Sequence, residues 1–164
     1  MVTPVETYPG DESSLAPLVY SCAAKCYHPV EGNTENRLEV IVIFTDMRGT
    51  LSALRMAEGL AQQLEAHIRV VMLYEVPYTL PLEKPAVSVK FLEAQIRRLT
   101  GKTPLEVAGE IYLCRDKRHI LKQHLRPHSL LVVGGKKRWW PGSAQRTARN
   151  LRKDGHHVIF AELR

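Results

Sequence analysis

The sequence predicts one α/β domain, a doubly wound five-stranded parallel sheet with helices on both of its faces. Short apolar runs rich in β-branched residues recur along the chain, as in strands buried on both faces. Segments with apolar residues at helical spacing separate these runs. Because strands and helices alternate, right-handed crossovers are expected to join parallel strands.

The first half of the domain contains two predicted strands and one helix. Val40–Phe44 is a nearly continuous apolar run, followed by Thr45 and Asp46 at its carboxyl end. A helix is predicted to about residue 66 from the apolar positions Leu51, Leu54, Ala57, Ala61 and Leu64. Ile68–Tyr74 is the second strand. The segment after it is a loop because it contains Pro77, Pro81 and Pro85.

The middle of the chain contains two further helices around a third strand. A helix ending near Gly101 is predicted from Val89, Leu92, Ile96 and Leu99. Alternating apolar residues from Leu105 to Leu113 predict a half-buried strand. Asp116 is the expected N-cap of a short helix that ends before Pro127.

The last elements surround a glycine turn. Leu130–Val133 predicts the fourth strand, and Gly134 and Gly135 follow it directly. The pair Gly142–Ser143 opens a basic helix to about residue 153, and residues 158–161 form the fifth strand. In this order, the glycine turn after the strand and the N-terminus of the helix direct backbone N–H groups toward one point. Such a point suits a phosphate. Alternatively, the glycines merely end a strand.

Residues 1–36 are predicted to be an N-terminal tail, flexible or loosely docked, ahead of a domain at residues 37–164. The tail has four prolines and an excess of acids, and its apolar part, residues 15–28, is expected to dock as a short helix or hook. Cys22, Cys26 and His28 lack a convincing fourth metal ligand, so simple thiols are expected. Three cysteines in all and no signal-peptide pattern indicate the cytoplasm.

Charge is distributed unevenly along the chain. Residues 115–164 carry 13 Lys or Arg against 3 Asp or Glu, within a whole-chain net charge of +6. The basic helix places Arg146, Arg149 and Lys153 on one face, and Lys136, Lys137, Arg138, Trp139 and Trp140 precede it. This pattern indicates an acidic protein or nucleic-acid partner. The alternative is a solvated helix face, with one tryptophan packed into the helix layer and the other covering the loop.

In a doubly wound sheet, ligands bind beyond the carboxyl ends of the strands, where the strand order reverses. This rule places Asp46, after the first strand, beside Gly134 and Gly135, after the fourth. The three residues are therefore candidates for one shared site. Asp46 has an alternative role as the cap of the helix that follows it.

Residues 38–164 resemble a universal stress protein domain. The resemblance rests on VIVIFTD, VVMLYEV, LLVVGG, the later GS pair and a final VIFAEL strand. It implies an adenine nucleotide alpha-hydrolase-like, Rossmann-like fold with strand order 3-2-1-4-5, and a non-catalytic role in stress response. It also implies a homodimer formed through the last strand, at Val158, Ile159 and Phe160.

A subset of this family binds ATP with an Asp after the first strand and a motif G-x2-G-x9-G-[S/T] after the fourth. The resemblance therefore implies that Asp46 and the backbone at Tyr74 or Glu75 hold an adenine. It implies that phosphates lie at Gly134, Gly142 and Ser143. The residues of this chain add Gly135 to the site, and Lys136, Lys137 and Arg138 as cations that would neutralise charge. Slow ATP hydrolysis is compatible with the family, but only Asp46 is a candidate general base.

The chain departs from the ATP-binding motif in two ways. Lys137 stands at the position of the second glycine, and four residues instead of nine separate it from Gly142. Loss of a glycine removes backbone freedom from a phosphate-binding loop, although side-chain cations can replace some N–H contacts. The alternative expectation is an interaction module that has lost its ligand and binds a protein or nucleic acid through its basic C-terminal face.

Overall fold

The computed structural model describes residues 16–23, 38–137, 139 and 141–163. Within these residues the strands are β1 (Leu18–Ala23), β2 (Glu39–Ile43), β3 (His67–Glu75), β4 (Val107–Cys114), β5 (Leu130–Gly135) and β6 (His157–Glu162). The helices are α1 (Met47–Leu64), α2 (Val89–Thr100), α3 (Lys117–His124) and α4 (Ser143–Lys153). The predicted α/β class is thus confirmed, and no helix among the described residues is long and apolar enough to cross a membrane.

The described strands form one mixed sheet in the order β1-β4-β3-β2-β5-β6. Strands β2 to β6 pair in parallel, whereas β1 pairs antiparallel with β4, Leu18 opposite Leu113. The prediction of a purely parallel, five-stranded sheet is therefore wrong in strand count and in the direction of one edge strand. The order 3-2-1-4-5 does not describe the whole sheet. Without β1, the parallel strands run β4-β3-β2-β5-β6.

The additional strand lies within the predicted N-terminal tail. Its residues alternate: Leu18 and Tyr20 pack against an apolar cluster that includes α2, while Val19 is 48% exposed. A strand therefore takes the place of the short helix or hook expected there. Residues 1–15 and 24–37, with Cys26 and His28, lie outside the described residues, and Cys22 is described only by its backbone.

Helices cover both faces of the sheet because consecutive residues of a buried strand point to opposite sides. On β2, Val40 and Val42 belong to the cluster that contains α1. Ile41 and Ile43 belong to the cluster that contains α3 and α4. Each fully buried Ile or Val contributes about 1.5–3 kcal/mol through its burial, which explains why β2 is apolar from Val40 to Ile43.

A half-buried charged cluster lies on the sheet beneath α3. The guanidinium of Arg69 contacts Glu39 through Nε at 2.9 Å and through Nη2 at 3.0 Å, and Glu110 through Nη1 at 2.9 Å. The Tyr112 hydroxyl donates to the same Glu110 carboxylate at 2.8 Å. The network links three adjacent strands, β2, β3 and β4, by charge-assisted hydrogen bonds.

Stability is expected to fall as the pH rises from about 9 to about 12. Burial, followed by the hydrogen bond to Glu110, raises the pKa of Tyr112 to about 12 from 10.0. Burial raises the pKa of the Cys114 thiol to about 11 from 9.0. Both groups hold a proton in the folded state that the unfolded chain releases, so their contribution is complete below pH 9 and is lost above it. Urea unfolding between pH 8 and pH 11 would measure this; a flat profile would contradict it.

Candidate ligand-binding site

The carboxyl ends of β2 and β5 are joined directly, as the fold rule predicts. The Thr45 hydroxyl donates to the carbonyl oxygen of Gly134 at 2.7 Å. The Thr45 amide donates to Thr50 Oγ1 at 3.1 Å, which ties the same turn to the first turn of α1. Asp46 and Gly134 are therefore neighbours in space, but Gly134 and Gly135 are the last residues of β5 and do not form the turn predicted after it.

Asp46 is the N-cap of α1. Its Oδ1 atom accepts hydrogen bonds from the amides of Arg48, at 3.0 Å, and Gly49, at 2.8 Å. These bonds satisfy two of the amides that a helix N-terminus leaves without an intrahelical partner. Oδ2 accepts no hydrogen bond from the described part of the chain, and Asp46 is exposed. The capping role is thus present, and adenine binding at Asp46 stays a prediction.

Gly134 and Gly135 allow two helices to approach β5 closely. A Cβ built on Gly134 would lie 1.8 Å from the carbonyl oxygen of Gly49 in α1. A Cβ on Gly135 would lie 2.7 Å from the Cβ of Ala144 in α4. Helix packing therefore requires both glycines. No bound phosphate is needed to explain their presence.

The structure also describes Gly142, Ser143 and Glu75, which were predicted to contact a nucleotide. Gly142 is the N-cap of α4, and its amide donates to Gln145 Oε1 at 3.1 Å. Ser143, in the first turn of α4, is exposed. Glu75 is exposed at the end of β3, two strands away from β5 in the sheet order.

The loop after β3 is held by a residue that the sequence did not indicate. Arg115 follows β4 and donates hydrogen bonds to the carbonyl oxygens of Val76 and Leu80, each at 2.9 Å, and of Pro77. Its guanidinium also lies 5.1 Å from the ring centre of Tyr78. Arg115 therefore fixes the proline-rich loop beside Glu75. Its only sequence signal was its place directly after a strand.

A groove of about 410 Å³ lies beside β6, between α4 and the loop that follows β5. Its walls are Lys137, Trp139, Pro141, Gln145, Ala148, Arg149, Arg152, Phe160 and Glu162. Of the predicted phosphate- or adenine-binding residues that the structure describes, only Lys137 lines it. Arg149 was predicted as part of a basic face and Phe160 as part of a dimer interface, whereas Gln145, Arg152 and Glu162 were not singled out.

The groove is predominantly cationic. Lys137 and Arg149 form no ion pair with any residue that the structure describes. Arg152 donates to the carbonyl oxygen of Val158 through Nε at 3.3 Å and Nη2 at 3.0 Å, which fixes its guanidinium against β6. Among the described lining residues, the single carboxylate belongs to Glu162. Three cations against one anion favour an anionic occupant.

Trp139 lies at the rim of this groove and is 95% exposed. The expectation that one tryptophan packs into the helix layer does not hold for Trp139. Trp140 and Arg138 lie outside the described residues. An indole that is almost fully in water beside several cations is available to stack on a planar ligand.

Comparison with known proteins gives no match: no protein-family profile, no curated protein and no solved structure matches the chain. Across residues 16–23, 38–137, 139 and 141–163, no group of three or more His, Cys, Asp or Glu is placed to hold a metal ion. The candidate site therefore rests on the geometry of this chain alone.

Proposed function

We propose that the protein is a non-catalytic regulatory module, similar to universal stress proteins, that binds a phosphate-bearing ligand. The observation that carries the proposal is the groove beside α4, in which Lys137 and Arg149 have no ion-pair partner among the described residues. Phosphate oxygens would satisfy both cations through charge-assisted hydrogen bonds. The N-terminus of α4 adds a favourable dipole close to the same loop.

An adenine nucleotide is the specific ligand that we propose, in a cytoplasmic stress response. Asp46 is the residue that we propose to bind the adenine, because its Oδ2 atom accepts no hydrogen bond from the described chain. Binding without catalysis is favoured because Asp46, the candidate general base, already caps α1. In this arrangement Gly134 and Gly135 shape the edge of the site by their packing and do not contact the phosphates.

Calorimetric titration with ATP, AMP and inorganic phosphate tests this function. We expect saturable ATP binding that Lys137→Ala and Arg149→Ala each weaken about tenfold, because each removes a charge-assisted contact. Asp46→Asn, which retains the cap, is expected to weaken ATP and AMP binding and leave phosphate binding unchanged. Arg55→Ala removes an exposed cation from α1 and serves as the matched control. Absence of heat with all three ligands would contradict the proposed function.

A second candidate is an interaction module that binds an acidic partner through the basic C-terminal face. The observation that favours it is the concentration of exposed cations on α4, which are Arg146, Arg149, Arg152 and Lys153. None of them forms an ion pair with another described residue. This candidate needs no small ligand and predicts binding that weakens steeply with salt.

Homodimer formation through β6 is part of the proposal. Among the described residues, β6 pairs only with β5. On its other edge the carbonyl oxygen of Val158 accepts hydrogen bonds from Arg152, so a second copy that pairs there takes the place of this side chain and uses the same edge of β6 as the groove. Successive amides of a strand point to opposite edges. The amides of His157 and Leu163 donate toward β5, so the amide of Val158 points to the edge away from β5.

Val158→Pro is therefore expected to convert the dimer to a monomer without breaking the β5–β6 ladder. Size-exclusion chromatography with light scattering measures the mass, and circular dichroism establishes that the variant is folded. Val158→Ala, which keeps the amide, is the control and should remain dimeric. A folded Val158→Pro variant with an unchanged mass would exclude this interface.

A further inference from the structure

The groove beside α4 combines an aromatic surface with cations in a way that suits a base and a phosphate together. Phe160, Ala148 and Pro141 supply apolar lining, and Trp139 stands exposed at the rim. Aromatic side chains next to a basic track are the arrangement by which proteins bind unpaired bases without reading their sequence.

The cations extend beyond the groove along α4. From Arg146 to Arg149 and then to Lys153 the helix rises by about 4.5 Å and about 6 Å. None of the three side chains is buried. A row of this length is longer than one phosphate group needs, and a polynucleotide backbone with successive phosphates would use all of it.

Glu162 places one negative charge among the cations of the groove. Its carboxylate lines the groove together with Lys137, Arg149 and Arg152 and repels a phosphate placed next to it. A carboxylate can accept hydrogen bonds from base amino groups or sugar hydroxyls. Phosphates are thus directed toward Arg149 and Lys137, and the neutral part of a nucleotide toward Glu162.

We propose that this groove binds single-stranded nucleic acid, with one base stacked on Trp139 and adjacent phosphates held by Lys137 and Arg149. The inference rests on the second candidate function and specifies its partner. A single strand fits because its bases are free to leave the stack, whereas a duplex keeps them paired and inaccessible. Arg152, held by the Val158 carbonyl, is a fixed cation on the same wall.

Fluorescence anisotropy with a labelled oligothymidine of about 12 nucleotides tests the proposal. Trp139→Ala is expected to weaken binding about tenfold, and Trp139→Phe less, because each changes the stacking surface without touching a buried side chain. The double variant Lys137→Ala/Arg149→Ala should bind with a weaker salt dependence. The magnitude of the slope of log K against log salt should fall by about 0.7 for each phosphate that the variant no longer neutralises. Arg55→Ala, on α1, should change neither quantity.

An oligonucleotide of the same length with abasic sugars separates stacking from charge. We expect it to bind more weakly than oligothymidine and to be insensitive to Trp139→Ala. Equal binding of the abasic and thymidine strands, tighter binding of a duplex, or no binding would each overturn the proposal. Calorimetry with ATP, AMP and phosphate is an independent readout, so the small-ligand function and this inference can fail separately.

Discussion

Gly134→Ala is expected to destabilise the protein by about 3 kcal/mol or more, at the upper end of what overpacking costs. The added Cβ would lie 1.8 Å from the backbone carbonyl oxygen of Gly49 and 3.1 Å from the Cβ of Ala53. Because the nearest atom belongs to the backbone, no side-chain rotation relieves the clash, and α1 must move away from β5. The movement would also strain the hydrogen bond from the Thr45 hydroxyl to Gly134.

Urea unfolding of Gly134→Ala and Gly59→Ala measures the effect against a matched control. Gly59 lies within α1, and nothing lies within 4 Å of a Cβ built there. Gly59→Ala should therefore stabilise the protein by about 0.5–1 kcal/mol through helix propensity. A Gly134→Ala variant as stable as the parent would show that α1 does not pack on β5 at this distance.

Arg69→Ala is expected to cost about 2–3 kcal/mol, less than the figure of about 3–5 kcal/mol for breaking a fully buried pair. The substitution leaves the carboxylates of Glu39 and Glu110 without their cation, and the Arg69 side chain is only 18% exposed. The partial exposure of both glutamates lowers the cost.

The control for Arg69 is Arg118, whose side chain is 57% exposed and lies 3.8 Å from Asp154. Arg118→Ala should cost less than about 1 kcal/mol because water screens the pair. Arg69→Ala combined with Glu110→Gln should recover part of the lost stability by removing one unpaired charge. Chemical unfolding at pH 7 compares the variants; equal costs for Arg69→Ala and Arg118→Ala would contradict the account.

Strong local patterns made most of the fold predictable. The run at Val40–Phe44 corresponds to β2 at Glu39–Ile43, and Asp116 does cap α3. Strand β1 escaped prediction because its alternation is short, lies among prolines and gains its stability from pairing with β4, a distant part of the chain. Such pairing is tertiary, and local propensity carries little information about it.

The candidate site was predictable only in part. The sequence marked Gly134, but a glycine needed for helix packing and one needed for phosphate look alike until the opposing Gly49 is known. The groove was missed because Arg152, Phe160 and Glu162 meet Lys137 only when β6 pairs with β5 and α4 folds over them. The basic residues of α4 were visible in the sequence, but the groove that they border was not.

Both ligand-binding proposals place the bound ligand in the groove beside α4. Amide chemical shifts of isotope-labelled protein, recorded during titration with oligothymidine and then with ATP, test this placement most directly. We expect both titrations to shift the resonances of Lys137, Trp139, Arg149 and Phe160 progressively, and the Trp139 side-chain indole signal to shift most with the oligonucleotide. Changes confined to Asp46, Glu75 and Gly134, with the groove unaffected, would contradict it.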